Sequence, residues 1–331
     1  MKRILMISTG GTIASVTGNN GLTPHLSSHE LLECVPELKG ICDIDVIELF
    51  KLDSTNIGPY HWVKMTEAIR DNYQNYDGFV ITHGTDTMAY SAAALSYMIQ
   101  NPDKPIVLTG SQKSIYNRDT DARNNMIRSF IYASDDLSWG VHIVFDNKVI
   151  LGTRAKKDRS KSFNAFRSIN YPETASFIDY KLVHFIHRPS GTEPVRFYTK
   201  LNPNIFVLKL VPGMSGDILR YICGHYKGLI IEGFGSGGLP NTDDSLLEGV
   251  KQFLADNGIA VFSTQVENEG SDLSVYEVGR IAQSLPGVVE GKDMTAEAII
   301  TKLMWALGQT DDVELCKQLF MKPVQFDRLV L

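Results

Sequence analysis

Four short stretches in the first half of the chain concentrate side chains suited to acyl chemistry. They read "STGGTIAS" (8–15), "LDSTN" (52–56), "HGTDT" (83–87) and "LTGSQ" (108–112). Each carries threonine or serine hydroxyls, and two add a carboxylate, Asp53 and Asp86. A hydroxyl becomes a useful nucleophile once a neighbouring group takes its proton. Apart from His83 no histidine stands in these stretches, so a threonine–lysine–aspartate arrangement is the candidate. The basic run "TRAKKDRSK" (153–161) follows a strand, and one of its lysines can turn back to act as proton relay or electrostatic anchor. Amides around Gly10, Gly11 and Gly84 are candidates to hold an oxyanion.

Taken one at a time, such turns need no chemistry, because threonine caps helices and glycine tolerates positive φ. Four of them at successive strand ends change the reading. In an open parallel sheet, ligands bind beyond the carboxyl ends of the strands. If these ends share one edge, Thr12, Ser54, Thr85, Asp86 and Ser111 converge on a single cleft. Hydroxyls, glycine amides and a carboxylate suit a small polar ligand better than a nucleotide. "GGTIAS" is not G-x-G-x-x-G, and no G-x-x-x-x-G-K-[ST] loop occurs. His184 and His187 in "VHFIHRP" lie in an extended stretch and read as structural rather than metal-binding.

The elements that must position these residues alternate. "RILMIS", "DIDVIEL", "GFVIT", "KPIVLTGS" and "GVHIVFDN" read as strands, with "KVILGTRA" returning as a hairpin. Helices are expected over 58–76, with Pro59 at the start and Trp62, Met65, Ile69 and Tyr73 on one face, over 87–99 and over 120–134. The polar, proline-bearing stretch 188–204 breaks the pattern and reads as a linker. Beyond it come "IFVLKLVPG", a helix from Gly216 to Tyr226, "GLIIEGFG", a helix over 243–257, and "IAVFSTQ". The last clear helix, 294–308, is expected to open at Thr295 and close at Gly308. The expectation is a two-domain α/β protein: an N-terminal domain over 1–187, the linker, and a C-terminal α/β domain over 205–331.

Composition narrows the setting. The 331 residues are 43% apolar and 21% charged, ordinary for a globular chain, and the formal charge of −6 argues against a nucleic-acid partner. The four cysteines form no C-x-x-C pair, which suits a reducing compartment. No stretch approaches the roughly 18 apolar residues of a membrane span. The apolar run Ile4–Ile7 is too short for a signal peptide, so a cytoplasmic setting is expected.

"TGGTIA" (9–14) and "DGFVITHGTDTMAYSAAALSYM" (77–98) strongly resemble the bacterial-type L-asparaginases, and more precisely their cytoplasmic type I branch. "LDSTN", "PIVLTGSQ", "FNAFRS", "PGMSGDILR" and "GKDMTAEAIITKLMWALG" extend the resemblance along nearly the whole chain. The resemblance implies a larger flavodoxin-like N-terminal domain, a smaller C-terminal domain, no cofactor, and dimers or dimer-of-dimers tetramers. It implies hydrolysis of the side-chain amide of L-asparagine to aspartate and ammonia through an acyl-threonine. Carried over by position, Thr12 matches the nucleophile, Thr85 and Asp86 the Thr-Asp pair, and Lys157 the lysine that joins them. Asp86 is also expected to hold the substrate's α-ammonium. Ser54 matches the serine for the substrate carboxylate, with Asp53 and Thr55 beside it. Gly11, Gly84 and Ser111 complete the expected binding set.

Two departures bear on function. The Gly- and Asn-rich loop 15–28 reads as a lid, but Leu22 stands where many relatives place a tyrosine; Tyr276 in "SDLSVYEVGR" matches a tyrosine that some relatives use in its stead. Glu232 and Val266 stand where certain type I enzymes have an arginine and a cysteine for a second asparagine site, so no such allosteric control is expected. Two other readings compete. An amidotransferase component serving tRNA-dependent glutamine synthesis carries an extra domain ahead of T-G-G-T, for which a motif starting at Thr9 leaves no room. A non-catalytic amino-acid binder on the same scaffold would have no use for Lys157.

Overall fold

Continuous apolar runs such as Gly78–Thr82, buried at all five positions, mark strands covered on both faces, as in a parallel sheet between helical layers. The computed structural model describes residues 1–18, 21–24, 26–189, 191, 193–240 and 245–329, the side chains of 16–24 excepted. The chain divides into two compact units, Met1–Thr199 and Lys200–Leu331.

In the first unit, strands β1 (Arg3–Gly10), β2 (Asp43–Leu52), β3 (Gly78–Thr82), β4 (Ile106–Thr109) and β5 (Val141–Phe145) are parallel, in the order β2-β1-β3-β4-β5. This is the flavodoxin-like order, with its reversal at β1/β3. Antiparallel strands β6 (Lys148–Leu151), β7 (Ala175–Ile178) and β8 (Lys181–His184) extend the sheet beyond β5. The register Gly10↔Leu52, Ser8↔Thr82 and Thr82↔Thr109 brings four strand ends to one edge.

Helix α1 (Pro59–Asn72) starts with Pro59 and buries Trp62, Met65, Thr66 and Ile69, one stripe at helical spacing. Helix α2 (Met88–Met98) is buried at every residue but Tyr90, which its Ala/Ser-rich sequence permits. It approaches Gly152 so closely that a Cβ there would stand 2.7 Å from both the Ala92 carbonyl and Ser96 Oγ. Helix α3 (Ala122–Ser134) covers the other face, where Met126 and Phe130 share a core with Ile4, Met6, Val80, Val107 and Val144.

The second unit holds four parallel strands in sequential order, β9 (Ile205–Lys209), β10 (Gly228–Gly233), β11 (Ile259–Thr264) and β12 (Val288–Glu290). Its helices are α4 (Asp217–Ile222), α5 (Ser245–Ala255), α6 (Glu277–Gln283), α7 (Ala296–Gln309) and α8 (Val313–Met321). Leu208, Leu219, Ile231, Phe253 and Phe262 lie in its core. A fully buried ion pair ties down the C-terminal segment: Lys302 Nζ lies 2.5 Å from Asp327 Oδ2 and donates to the Lys322 carbonyl at 2.7 Å.

Several element boundaries differ from the sequence reading, and one helix was missed. The helix expected to reach Tyr226 stops at Ile222, because Cys223 leaves the helical region and Gly224 follows at φ 74°. Helix α7 starts after Thr295, whose side chain accepts from the Ala298 amide, but it runs through Gly308 to Gln309. Gly308 serves packing instead: a Cβ there would stand 2.6 Å from the Lys200 carbonyl. Helix α8 was not expected, and Asp312 caps it by accepting from the Leu315 amide.

Candidate active site

The reversal at β1/β3 is where the hydroxyl-bearing turns meet. A cleft there is lined by Gly11, Thr12, Ser15, Asp53, Ser54, Gly84, Thr85 and Asp86. Three of the four singled-out stretches therefore supply its walls. Close backbone packing explains why. Gly11 (φ 84°) lies against the next turn, and a Cβ there would overlap the Gly84 amide. A Cβ on Gly84 would in turn stand 2.6 Å from Ser54 Oγ. Only glycine at both positions lets the three turns touch.

Local hydrogen bonds hold each turn. Asp53 Oδ1 accepts from the Thr55 amide and hydroxyl, both at 2.9 Å, and so caps the short 3-10 turn Ser54–Asn56. Thr55 itself is exposed and does not line the cleft. Thr87 Oγ1 donates to the Ser54 carbonyl at 2.7 Å, joining the second turn to the third. Ser15 Oγ donates to the Gly11 carbonyl at 2.9 Å, one helical turn back. The Gly11 amide donates to the Leu52 carbonyl at 2.9 Å, which ties the first turn to the end of β2.

The lysine comes from a two-stranded hairpin, Ala155–Lys157 with Phe166–Ser168, in which Lys157 pairs with Phe166. Lys157 Nζ donates to Thr85 Oγ1 at 2.8 Å and to Asp86 Oδ1 at 2.5 Å. The lysine side chain is 16% exposed and the Asp86 side chain 58%, so the cation is held inside while the carboxylate faces solvent. Thr85 is buried, and its hydroxyl donates to Gln112 Oε1 at 3.2 Å. The three residues expected to act together, Thr85, Asp86 and Lys157, are thus in direct contact, with Thr12 on the same cleft.

Behind this wall His83 is fully buried. Its Nδ1 faces the Gly84 carbonyl at 2.7 Å and its Nε2 faces Ser91 Oγ at 2.8 Å, which accepts from Trp62 Nε1 at 2.9 Å. The carbonyl requires a proton on Nδ1, so Nε2 accepts from Ser91. Burial lowers the imidazole pKa to about 4, which keeps the ring neutral and structural.

Ser111, like Thr55, does not line the cleft. Ser111 is buried off the cleft, its hydroxyl donating to the Lys113 carbonyl at 2.5 Å. The strand-end pattern pointed to the right turn, but the side chain that reaches Thr85 belongs to the next residue, Gln112. Tyr276 belongs to the second unit, beside the start of α6, and is 60% exposed rather than part of a core. The stretch 15–28 read as a lid forms a hairpin, Ser15–Gly18 with Gly21–Pro24; Asn19, Asn20, His25 and the Leu22 side chain lie outside what the structure describes. His184 bonds Asp135 at 2.9 Å, and His187 is exposed. Among the described residues no helix is long and apolar enough to cross a membrane.

The family model of the asparaginase N-terminal domain matches residues 3–190, and that of the glutaminase/asparaginase C-terminal domain matches 204–320. The chain belongs to the asparaginase family. An L-asparaginase of Thermococcus kodakarensis is 40% identical over 328 residues, covering 97% of this chain and 98% of that protein. A component of the glutamyl-tRNA(Gln) amidotransferase of Metallosphaera sedula is 32% identical, covering 96% of this chain and 75% of that protein. The solved structure of a thermostable L-asparaginase from T. kodakarensis superposes with a TM-score of 0.91 at 38% identity, covering 99% of this chain and 100% of that one. This asparaginase-family chain therefore has the two-part α/β architecture of its relatives, a large parallel-dominated sheet followed by a smaller one.

Proposed function

We propose that this protein hydrolyses the side-chain amide of L-asparagine to L-aspartate and ammonia through an acyl ester on Thr12. The observation that carries the reading is the Thr85–Lys157–Asp86 cluster on the cleft that also holds Thr12. The 40% identity with the T. kodakarensis L-asparaginase, against 32% with the amidotransferase component, favours free asparagine over a tRNA-linked substrate.

In this account the α-carboxylate of the substrate lies at Ser54 and its α-ammonium at the exposed carboxylate of Asp86. Thr12 Oγ attacks the amide carbon; the C–N bond breaks, and the departing nitrogen takes the hydroxyl proton and leaves as ammonia. Water then attacks the ester, aspartate departs, and a proton returns to Thr12. Lys157 supplies positive charge beside Thr85, whose hydroxyl orients the attacking group in each half-reaction. Tyr276, an exposed phenol, keeps the supporting role that the family resemblance implies. Activity in the cytoplasm as a homo-oligomer completes the proposal.

Ammonia release from L-asparagine and L-glutamine, by wild type and Thr12→Ala, tests this. Wild type is expected to turn over asparagine, and folded Thr12→Ala to fall to background. Glutamine is longer by one methylene, worth only about 1–3 kcal/mol of discrimination, so its hydrolysis is expected to be slower but measurable. A wild type inactive on both amides, or a fully active Thr12→Ala, refutes the reading.

A further inference from the structure

The Thr85 hydroxyl has two neighbours, and the second belongs to no part of the machinery described so far. Lys157 donates to Thr85 Oγ1, and a cation cannot accept a proton, so Lys157 leaves the direction of the hydroxyl hydrogen open. Gln112 Oε1, 3.2 Å away, is the acceptor that sets it.

The orientation of that amide is itself determined. Gln112 Nε2 faces two backbone carbonyls, Ser162 at 3.1 Å and Arg159 at 3.4 Å. Carbonyls accept only, so the nitrogen must point to them and the oxygen to Thr85. Both carbonyls lie in the loop of the hairpin that carries Lys157. One side chain therefore spans the buried hydroxyl and the element that delivers the lysine.

The backbone beneath Gln112 is equally fixed. The buried Asp121 carboxylate accepts from the Gln112 amide at 2.9 and 3.1 Å and from the Lys113 amide at 3.1 Å. Asn125 in turn donates to Asp121 at 3.2 Å and to the Gly110 carbonyl at 2.9 Å. The turn after β4 is a rigid mount for a single amide. A surface glutamine would not need such support.

We infer that Gln112 is a positioning residue for the reaction, locking the Thr85 hydroxyl rotor and registering the Lys157 hairpin against it. The inference rests on the function proposed above. The side-chain hydrogen bonds of Gln112 go to Thr85, Arg159 and Ser162 and not to Ser54 or Asp86, so its loss should reduce turnover without weakening substrate binding.

The test compares wild type, Gln112→Met and Gln112→Glu in steady-state asparagine hydrolysis, with thermal melts on each. Methionine keeps the length of the side chain but removes both amide functions. Its kcat is expected to fall about 10- to 100-fold, the worth of one or two lost hydrogen bonds, with KM within about threefold of wild type. Glutamate keeps an oxygen for Thr85 but faces the two carbonyls with a second one. It should recover part of the lost kcat. A merely structural role predicts the opposite order, because a carboxylate against two carbonyls packs worse than methionine. Unchanged kcat in Gln112→Met, or Glu below Met in kcat, overturns the inference while leaving the proposed function intact. A wild type that releases no ammonia refutes the proposed function and the inference with it.

Discussion

Lys157 makes two contacts at the cleft, 2.8 Å to a buried hydroxyl and 2.5 Å to a carboxylate. In the proposed mechanism, removing the cation leaves Thr85 without the charge that makes its oxygen useful in proton transfer. Lys157→Met is therefore expected to lower kcat by roughly 10²- to 10⁴-fold, the usual range for a positioned acid–base group. Steady-state kinetics on asparagine check this; a loss below about threefold would show that Thr85 works without the lysine. Residue identity and the family resemblance made much of this legible. "THGTDT" after a buried strand pointed to Thr85 and Asp86, the basic run 153–161 offered the lysine, and the resemblance singled out Lys157. Gln112 was not legible, because the turn's chemistry was attached to the hydroxyl of Ser111. Which of two neighbours faces Thr85 depends on how Asp121 holds the turn backbone, and that is a tertiary fact.

At the scale of elements, buried parallel strands and amphipathic helices announced themselves through periodicity. "GFVIT" and the Trp62, Met65, Ile69 stripe needed no context. What the sequence reading missed had weak local signals. Helix α8 buries only Cys316 and Phe320, so its apolar stripe is thin. Strands β7 and β8 are half exposed and owe their place to pairing with β6 and with each other. The helix-ending reading of Gly308 failed for a related reason. A glycine near a helix end looks the same whether it terminates the helix or admits a neighbouring backbone, and here Lys200 decides.

For the molecule as a whole, two buried histidines set a stability limit in acid. Burial lowers His83 to about 4 and His142 to about 3, from ordinary values near 6.5. Both are neutral when folded but take protons in the unfolded chain below pH 6.5. Their contribution is complete above that pH and drains away as the pH falls toward 4 and 3. For His83 alone the loss is on the order of 3 kcal/mol. Urea unfolding between pH 7.5 and 4.5 should show the midpoint falling with pH, and His83→Gln should flatten the slope. Equal slopes in the two proteins would mean that His83 titrates normally and is not sealed behind the cleft.

The covalent step is the claim on which the functional account stands. Rapid acid quench of Lys157→Met during turnover of asparagine, followed by intact-mass and peptide mass spectrometry, tests it directly. The account predicts one added aspartyl group, carried by the peptide containing Thr12 and absent from the Thr12→Ala background. An aspartyl group on any other residue, or active enzyme that never carries one, would contradict it.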